Sequence, residues 1–350
     1  MARGGTHNGR SLRLACVATR TANGHYRVIV PMQEMARRSH TVHWPGDRTF
    51  KLLEAGDVPP WDAMHIQQMH DEEGLEIMAR MRRAGVAVVW DTDDDLRSVT
   101  RGSEAWHRHG GRRGIRRHAK QALQAARTAH LVTTTNEHLA QVYRDQGVEH
   151  VVAVENYLAP EDLQRPRKRH QGIVIGLVAA GEHEPDLKRM KFAAMLETLL
   201  ERHDGVRVVC MGVNLRLRRE HRYTFVDDVP IADLVAAESE FDIGLAPLRD
   251  TAFNRARSNV KLKEYSAAGA MWLASPVGPY RGMGEEQGGL LVGDDDWLST
   301  LEALLADADR RRALTERARG WVQGQTIRAG AARWQAAYRD AVERARAEAG

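Results

Sequence analysis

The chain has 350 residues, 43% of them apolar, which is enough for about two packed domains. Its formal net charge of +4 is compatible with anionic ligands and too mild to demand nucleic acid. No apolar run approaches the roughly 18 residues of a membrane span. The basic start, MARGGTHNGRSLRL, has no apolar stretch of the length a secretion signal needs. Cys16 and Cys210 each sit in an apolar run and read as buried free thiols of a cytoplasmic protein; no metal-binding Cys/His spacing occurs.

Residues 12–18 (LRLACVA) predict a buried strand, 19–27 (TRTANGHYR) a loop, and 28–38 a helix with Pro31 in its first turn. In that loop Gly24 would admit a ligand close to the backbone, and Tyr26 and Arg27 would project into a cleft. A turn glycine and a surface arginine are the plainer reading. No GxGxxG fingerprint follows the strand, so a dinucleotide site is not indicated. A short strand at 41–44, a turn with Asp57, Pro59 and Pro60, a strand at 61–67, a helix at 72–84 and an apolar strand at 86–90 come next. His65 and His70 read as polar strand or loop residues.

The run Asp91–Asp95 (DTDDD) then stands at a strand end, facing the site crevice of a parallel sheet. It has three readings: a divalent-cation site, a group for acceptor hydroxyls or a base, or the cap of the next helix. Asp93, in the middle, is the member best placed to clear the strand. Residues 97–120 are polar and basic, with Arg108, Arg112, Arg113, Arg116 and Arg117 around Gly110, Gly111 and Gly114. The glycines predict a mobile loop running into a helix at about 115–127. It is either solvated surface or an electrostatic cradle for an anionic acceptor. A strand at 131–134, a helix at 136–146 and a strand at 151–154 complete a Rossmann-like unit, and 165–170 (RPRKRH) form a basic linker.

A second unit opens with a strand at 172–178. In the loop and helix after it, predicted at 187–202, Gly181 permits close backbone approach, and His183, Lys188 and Arg189 are placed to meet a diphosphate. A strand at 206–211 ends in Gly212, expected near a nucleotide base; an edge strand at 223–226 and a helix at 231–239 follow. Residues 241–280 form the most informative stretch. An apolar strand closed by Pro247, a polar loop at 248–257, a helix capped by Ser258 and stopped by Gly269, and a strand at 271–275 make a βαβ unit. The free N–H groups at that helix start, with Ser258 and Asn259, suit an anion. Lys261 and Glu264, three apart, share a face: a cation for phosphate and a carboxylate for sugar hydroxyls. An ordinary solvated helix pair is the alternative. Beyond it lie a polar segment at 282–289, a strand at 290–292 and helices at 297–305, 310–324 and 331–349.

The stretch resembles the donor-binding half of GT-B glycosyltransferases, in particular the retaining group that includes sucrose-phosphate-synthase-type and lipid mannosyltransferases. The matching residues are Asp242, Leu245–Leu248, Lys261, Glu264, Ala268–Gly269, Ala274–Ser275 and Gly278. More loosely, the likeness extends over residues 12–340, with Gly24 and Arg27 matching in position and Asn156, Tyr157 and Pro160 at the crossover between domains. The resemblance implies that Glu264 holds the ribose, that a basic residue near Lys188 meets the donor phosphates, and that no bound metal is needed. It also implies that the last helix crosses back to the N-terminal domain. Eight positions before Glu264, where the family carries another Glu, this chain has Ala256, with Asn254 or Ser258 as stand-ins.

The expected architecture is α/β: an N-terminal Rossmann-like acceptor domain (1–158), a C-terminal Rossmann-like donor domain (159–328) and a returning helix (329–350). The expected activity is transfer of a sugar from a nucleotide sugar to an acceptor, with no cofactor. Donor-side residues are Gly181, His183, Lys188, Gly212, Ser258, Asn259, Lys261 and Glu264. Acceptor-side residues are Gly24, Tyr26, Arg27, Arg112, Arg113 and Arg116, with Asp93 as base if the reaction inverts. The arginines point to an anionic acceptor: a lipid headgroup, a glycan, a natural product or a nucleic acid. Rival readings are a nucleotide-sugar epimerase or hydrolase on the same frame, and a catalytically degenerate nucleotide-sugar or glycan-binding module.

Overall fold

The computed structural model describes residues 11–18, 22–44 and 60–349; the basic start, the first residues of the loop after the first strand, and the turn with Asp57 and Pro59 lie outside them. Two parallel six-stranded sheets form the frame. The first contains β1 (Arg13–Val17), β2 (Thr41–His43), β3 (Ala63–Gln67), β4 (Ala87–Thr92), β5 (Leu131–Thr134) and β6 (Val151–Ala153), in the order β2-β1-β3-β4-β5-β6. The second contains β7 (Ile173–Val178), β8 (Val206–Met211), β9 (Tyr223–Val226), β10 (Ile243–Ala246), β11 (Met271–Ala274) and β12 (Gly289–Leu291), in the order β12-β11-β10-β7-β8-β9. Their central strands are continuous apolar runs because helices cover both faces.

On the first sheet, alternate residues serve opposite layers. Val88 and Trp90 pack with Met78 and Met81 of α1 (Glu72–Arg83), Ile115 and Ala122 of α2 (Gly111–Thr128), and Leu139 and Tyr143 of α3 (Glu137–Arg144). Ala87 and Val89 face the other way, against Trp334, Tyr338 and Ala341 of the last helix, α4 (Ile327–Ala349). Tyr338 Oη lies 2.8 Å from His65 Nδ1, and burial pushes the His65 imidazole down to about 4, so this histidine is a neutral core residue. The second sheet is covered on one face by Leu196 and Leu199 of the helix Phe192–Arg202 and by Trp297 and Leu301, and on the other by Leu262 and Tyr265 of the helix Val260–Ala268. Cys16 and Cys210 are buried and free.

Several elements differ from the sequence expectation. The first helix begins at Ala22, not Val28, and passes through a π-helical turn, His25–Ile29, before Val30–Arg37. Pro31 has no N–H for the carbonyl of Arg27, and the ladder lapses there, with Val30 N–H bonding to His25 O. Residues 97–120 are not a mobile loop: Glu104–Arg108 is helical with Ser103 as its cap, and α2 starts at Gly111. Gly114 answers to packing, since a Cβ there would stand 1.5 Å from the His109 carbonyl oxygen. The helix predicted at 187–202 is two helices, Glu184–Arg189 and Phe192–Arg202, broken at Lys191, which has φ 53°. Among the described residues no helix is long and apolar enough to cross a membrane.

In each sheet the strand order reverses once, between β1 and β3 and between β7 and β10. A ligand crevice lies outside the carboxyl ends of strands at such a reversal.

Candidate functional site

Both reversals open onto one cavity of about 480 Å³, within the range of small-molecule sites. Its wall has three parts. Val178–Ala180 after β7, Gly212 after β8 and Asp227–Ile231 after β9 form one end. Arg257, Ser258, Lys261 and Glu264 form the middle. Asn23, Tyr26, Asp93, Thr135 and Asn156 come from the N-terminal domain.

The helix Val260–Ala268 is buried around most of its circumference, and this sets its chemistry apart from a solvated surface pair. Glu264 is 1% exposed. Its Oε2 lies 2.9 Å from Lys261 Nζ, and its Oε1 accepts a 2.6 Å hydrogen bond from Tyr26 Oη across the domain boundary. Two further carboxyls stand nearby. Burial, then the charge of Glu264, pushes Glu238 well above the usual carboxylate range; burial raises Asp162 to about 6, with Glu264 contributing. Glu264 therefore sits in a dry setting with two carboxyls and one ammonium close by. Ser258 faces the cavity and accepts from Asn156 Nδ2 at 3.2 Å, but it is not the cap: Asn259 occupies that position, without a side-chain capping bond, and is not part of the cavity wall.

Arg257 is the residue that sequence reasoning missed. Its guanidinium lies over the Phe253 ring at 5.3 Å and pairs with Asp94 at 3.0 Å and Glu182 at 3.1 Å, with His183 Nε2 at 3.2 Å. Asp94 belongs to the first sheet's loop and Glu182 to the second's, so Arg257 ties the domains together at the cavity. Burial opposes ionisation of Glu182, but Arg257 outweighs it and holds the carboxyl at about 2; burial and then Arg257 push the His183 imidazole down to about 3. His183 is thus neutral and offers a hydrogen bond, not a charge. A cation two positions before the N-cap of the helix Val260–Ala268 was the available signal.

The segment before Arg257 docks on the first domain. Thr135 Oγ1 donates to Ala256 O at 3.2 Å, and Asn136 Nδ2 donates to Arg257 O at 2.7 Å. Ala256, at the position where the resembled family carries its other Glu, is fully buried. Asn254 is tied to Asp186 and to Arg249 O, which leaves Ser258 as the stand-in that faces the cavity.

Within the Asp91–Asp95 run the aspartates separate. Asp91 is buried against Arg27 at 2.7 Å and Thr133 Oγ1 at 2.6 Å; Asp94 pairs with Arg257 and Asp95 with Arg97 at 3.0 Å. Asp93 lines the cavity, accepts from Gln68 Nε2 at 2.5 Å, and is pushed well above the usual range by burial, Asp94 and Asp91. Among the described residues no group of three or more ligands is arranged to hold a metal. Arg27 does not project into the cleft: it is fully buried, bonded also to Val154 O and Asn156 Oδ1, and stacked 4.9 Å over Trp334. Gly24 has an ordinary helical φ of −59° and is not part of the cavity wall, where its neighbour Asn23 is.

Three donor-side expectations also shift. Gly181 makes room for Glu104, whose Oε2 would lie 2.1 Å from an added Cβ, and not for a phosphate. Lys188 is exposed near the end of its short helix and away from the cavity wall. Gly212 does line the cavity, with φ 85° and a Cβ position 2.4 Å from Ala179 O, so no side chain fits. Arg112, Arg113 and Arg116 are exposed on α2, outside the cavity wall, and no ion pair engages them among the described residues.

Residues 188–336 match the model of a glycosyl transferase-like family. No curated protein matches the chain. Solved structures share its fold along nearly the whole length at low identity. Alr3699/HepE of Anabaena, in complex with UDP, has a TM-score of 0.58 at 14% identity, with 93% of this chain and 98% of that chain covered. An α,α-trehalose-phosphate synthase (UDP-forming) of Burkholderia vietnamiensis has a TM-score of 0.62 at 12% identity, covering 94% and 97%. An alpha-glucosyltransferase, in complex with UDP-glucose and DNA containing an abasic site, has a TM-score of 0.64 at 11% identity, covering 93% and 98%. The chain has the GT-B fold.

Proposed function

We propose that the protein is a glycosyltransferase that moves a sugar from a nucleotide sugar to an acceptor bound by the N-terminal domain. The observation that carries this reading is the shared cavity, where Glu264 and Lys261 at a helix start face Asp93 across the domain boundary. Glu264 holds the ribose hydroxyls. Lys261, Arg257 and the N–H groups at the helix start receive the charge that grows on the diphosphate as the glycosidic bond breaks. The surrounding walls limit hydrolysis of the donor by water. Where the stereochemistry inverts, Asp93, on the cavity wall, is the carboxyl placed to take the acceptor proton. Solved relatives by fold carry UDP or UDP-glucose, which favours a nucleotide-hexose donor.

The reaction is read as independent of metal and cofactor, since cationic side chains and a helix start already occupy the role of a divalent ion. Turnover is therefore expected to persist in excess EDTA. Complete loss restored by manganese or magnesium would move the assignment to the Asp91–Asp95 run.

The acceptor is read as anionic. Arg112, Arg113, Arg116 and Arg117 are exposed on the first two turns of α2, and the short helix before it packs Glu104 against the 181–183 turn at the cavity's edge. Replacing all four by glutamine is expected to raise the acceptor KM several-fold, leave donor affinity unchanged and flatten the salt dependence of turnover. A normal acceptor KM in that variant would make the acceptor neutral at this surface.

Incubating the protein with nucleotide sugars, with and without cell extract, and measuring released nucleoside diphosphate and glycosylated product tests the whole reading. Product that forms only with extract supports transfer. Release or epimerisation with donor alone identifies a hydrolase or epimerase, and binding without turnover a degenerate module.

A further inference from the structure

We infer that Tyr26 is an internal placeholder for the donor's ribose, occupying on Glu264 the hydrogen-bonding position that a nucleotide hydroxyl must take. This rests on the reading of Glu264 as the ribose-binding carboxylate. Oε1 of Glu264 accepts the Tyr26 hydrogen bond, while Oε2, 2.9 Å from Lys261 Nζ, accepts no hydrogen bond within the protein. A carboxylate has about four acceptor sites, but Glu264 is 1% exposed, which leaves too little room for a ligand beside the tyrosine, so a vicinal diol that donates to both oxygens displaces the Tyr26 hydrogen bond from Oε1. The tyrosine lies on the cavity wall, its hydroxyl within reach of the same carboxylate as an incoming ligand.

The placement is specific. Tyr26 is 3% exposed, packed with Leu158 and Val322, so its ring is held while its hydroxyl reaches 238 positions along the chain. Its backbone lies in the π-helical turn, a rare geometry that recurs at functional sites and here aims the side chain across the domain boundary. Burial, followed by Glu264, keeps its phenol well above the usual range, so it remains a hydrogen-bond donor. The consequence is coupling. Donor binding breaks a contact made by the acceptor domain's first helix, and the acceptor side senses an occupied donor site. Tyr26 acts through Glu264 and is a positioning residue.

The test uses Tyr26→Phe, which keeps the packed ring and removes the hydroxyl. Calorimetry with UDP and GDP, and with the 2′,3′-dideoxy analogue of whichever binds, reads the effect. The expected result is about three- to tenfold tighter nucleotide binding in Y26F, with the dideoxy analogue unchanged, because that analogue never competes for Glu264. Adding Y26F to Glu264→Ala should change nothing. Unchanged or weaker nucleotide binding in Y26F overturns the proposal, as does equal tightening of the dideoxy analogue. Should E264A itself bind nucleotide normally, or wild type bind neither nucleotide, the ribose-site reading fails and takes this one with it. Loss of affinity in E264A without tightening in Y26F rejects the placeholder alone.

Discussion

Glu264→Ala is expected to weaken nucleoside-diphosphate binding by about tenfold or more without unfolding the protein. Hydrogen bonds to a charged group contribute about 1.5–3 kcal/mol each, and about 1.4 kcal/mol is a factor of ten in affinity. Two hydroxyl contacts are lost, and one Tyr26 contact no longer has to be broken, which leaves at least one charge-assisted bond as the net deficit. The fold should tolerate the change. Glu264 lies beside two carboxyls, Glu238 and Asp162, whose ionisation it opposes, and Lys261 is partly exposed and can be solvated alone. Calorimetry gives the affinity, and the urea midpoint shows that structure is retained. An unaltered dissociation constant would reduce the helix start to a folded βαβ unit with no part in binding.

Arg257→Ala should have the larger effect on the molecule as a whole. Removing one member of a fully buried ion pair costs about 3–5 kcal/mol because it strands the partner; the Arg257 pairs are about a fifth exposed, so each costs less than that. Here two partners are stranded, Asp94 and Glu182, and the link between domains at the cavity is cut. Among the described residues Arg257 is also one of two Lys or Arg side chains on the cavity wall, so the charge developing on a leaving diphosphate loses a counter-charge. Loss of one such preorganised group lowers kcat by about a hundred- to a thousandfold. The two roles separate by experiment. Combining Arg257→Ala with Asp94→Asn and Glu182→Gln should recover much of the urea midpoint, since the uncompensated charges are gone, and none of the turnover. Recovery of both would make Arg257 a structural tie only. Arg257→Lys keeps the charge but not the fork that bridges two carboxylates, and should fall between.

Much of this arrangement was legible in the chain. Runs such as GIVIGLV and AVVW are too apolar to be anything but interior strands, and their alternation with helices fixed a parallel α/β frame. Glu264, Lys261, Ser258, His183, Gly212, Asp93 and Tyr26 do meet at one cavity. What was not legible depended on partners distant in sequence. Arg27 looks like a loop cation until Asp91, 64 positions away, neutralises it in the core. Arg257 gains its role from Asp94, 163 positions away. Local signals misled where they had two causes. Gly110, Gly111 and Gly114 suggested mobility, yet Ile115, Ala122, Ala125 and Ala126 form a buried stripe that makes α2 a packed helix, with Gly114 fitting under a carbonyl. Lys191 breaks a helix in the left-handed region without the glycine that usually announces it.

Equilibrium binding of a panel of nucleoside diphosphates and nucleotide sugars to the wild-type protein, read as a concentration-dependent rise in melting temperature, tests the donor site most directly. A ligand at about 100 times its dissociation constant adds roughly 2.7 kcal/mol of stability. The expected result is that at least one nucleoside diphosphate and its sugar conjugate raise the melting temperature together, and that E264A diminishes both shifts. A panel in which no nucleotide moves the transition, or in which E264A responds like wild type, would contradict it.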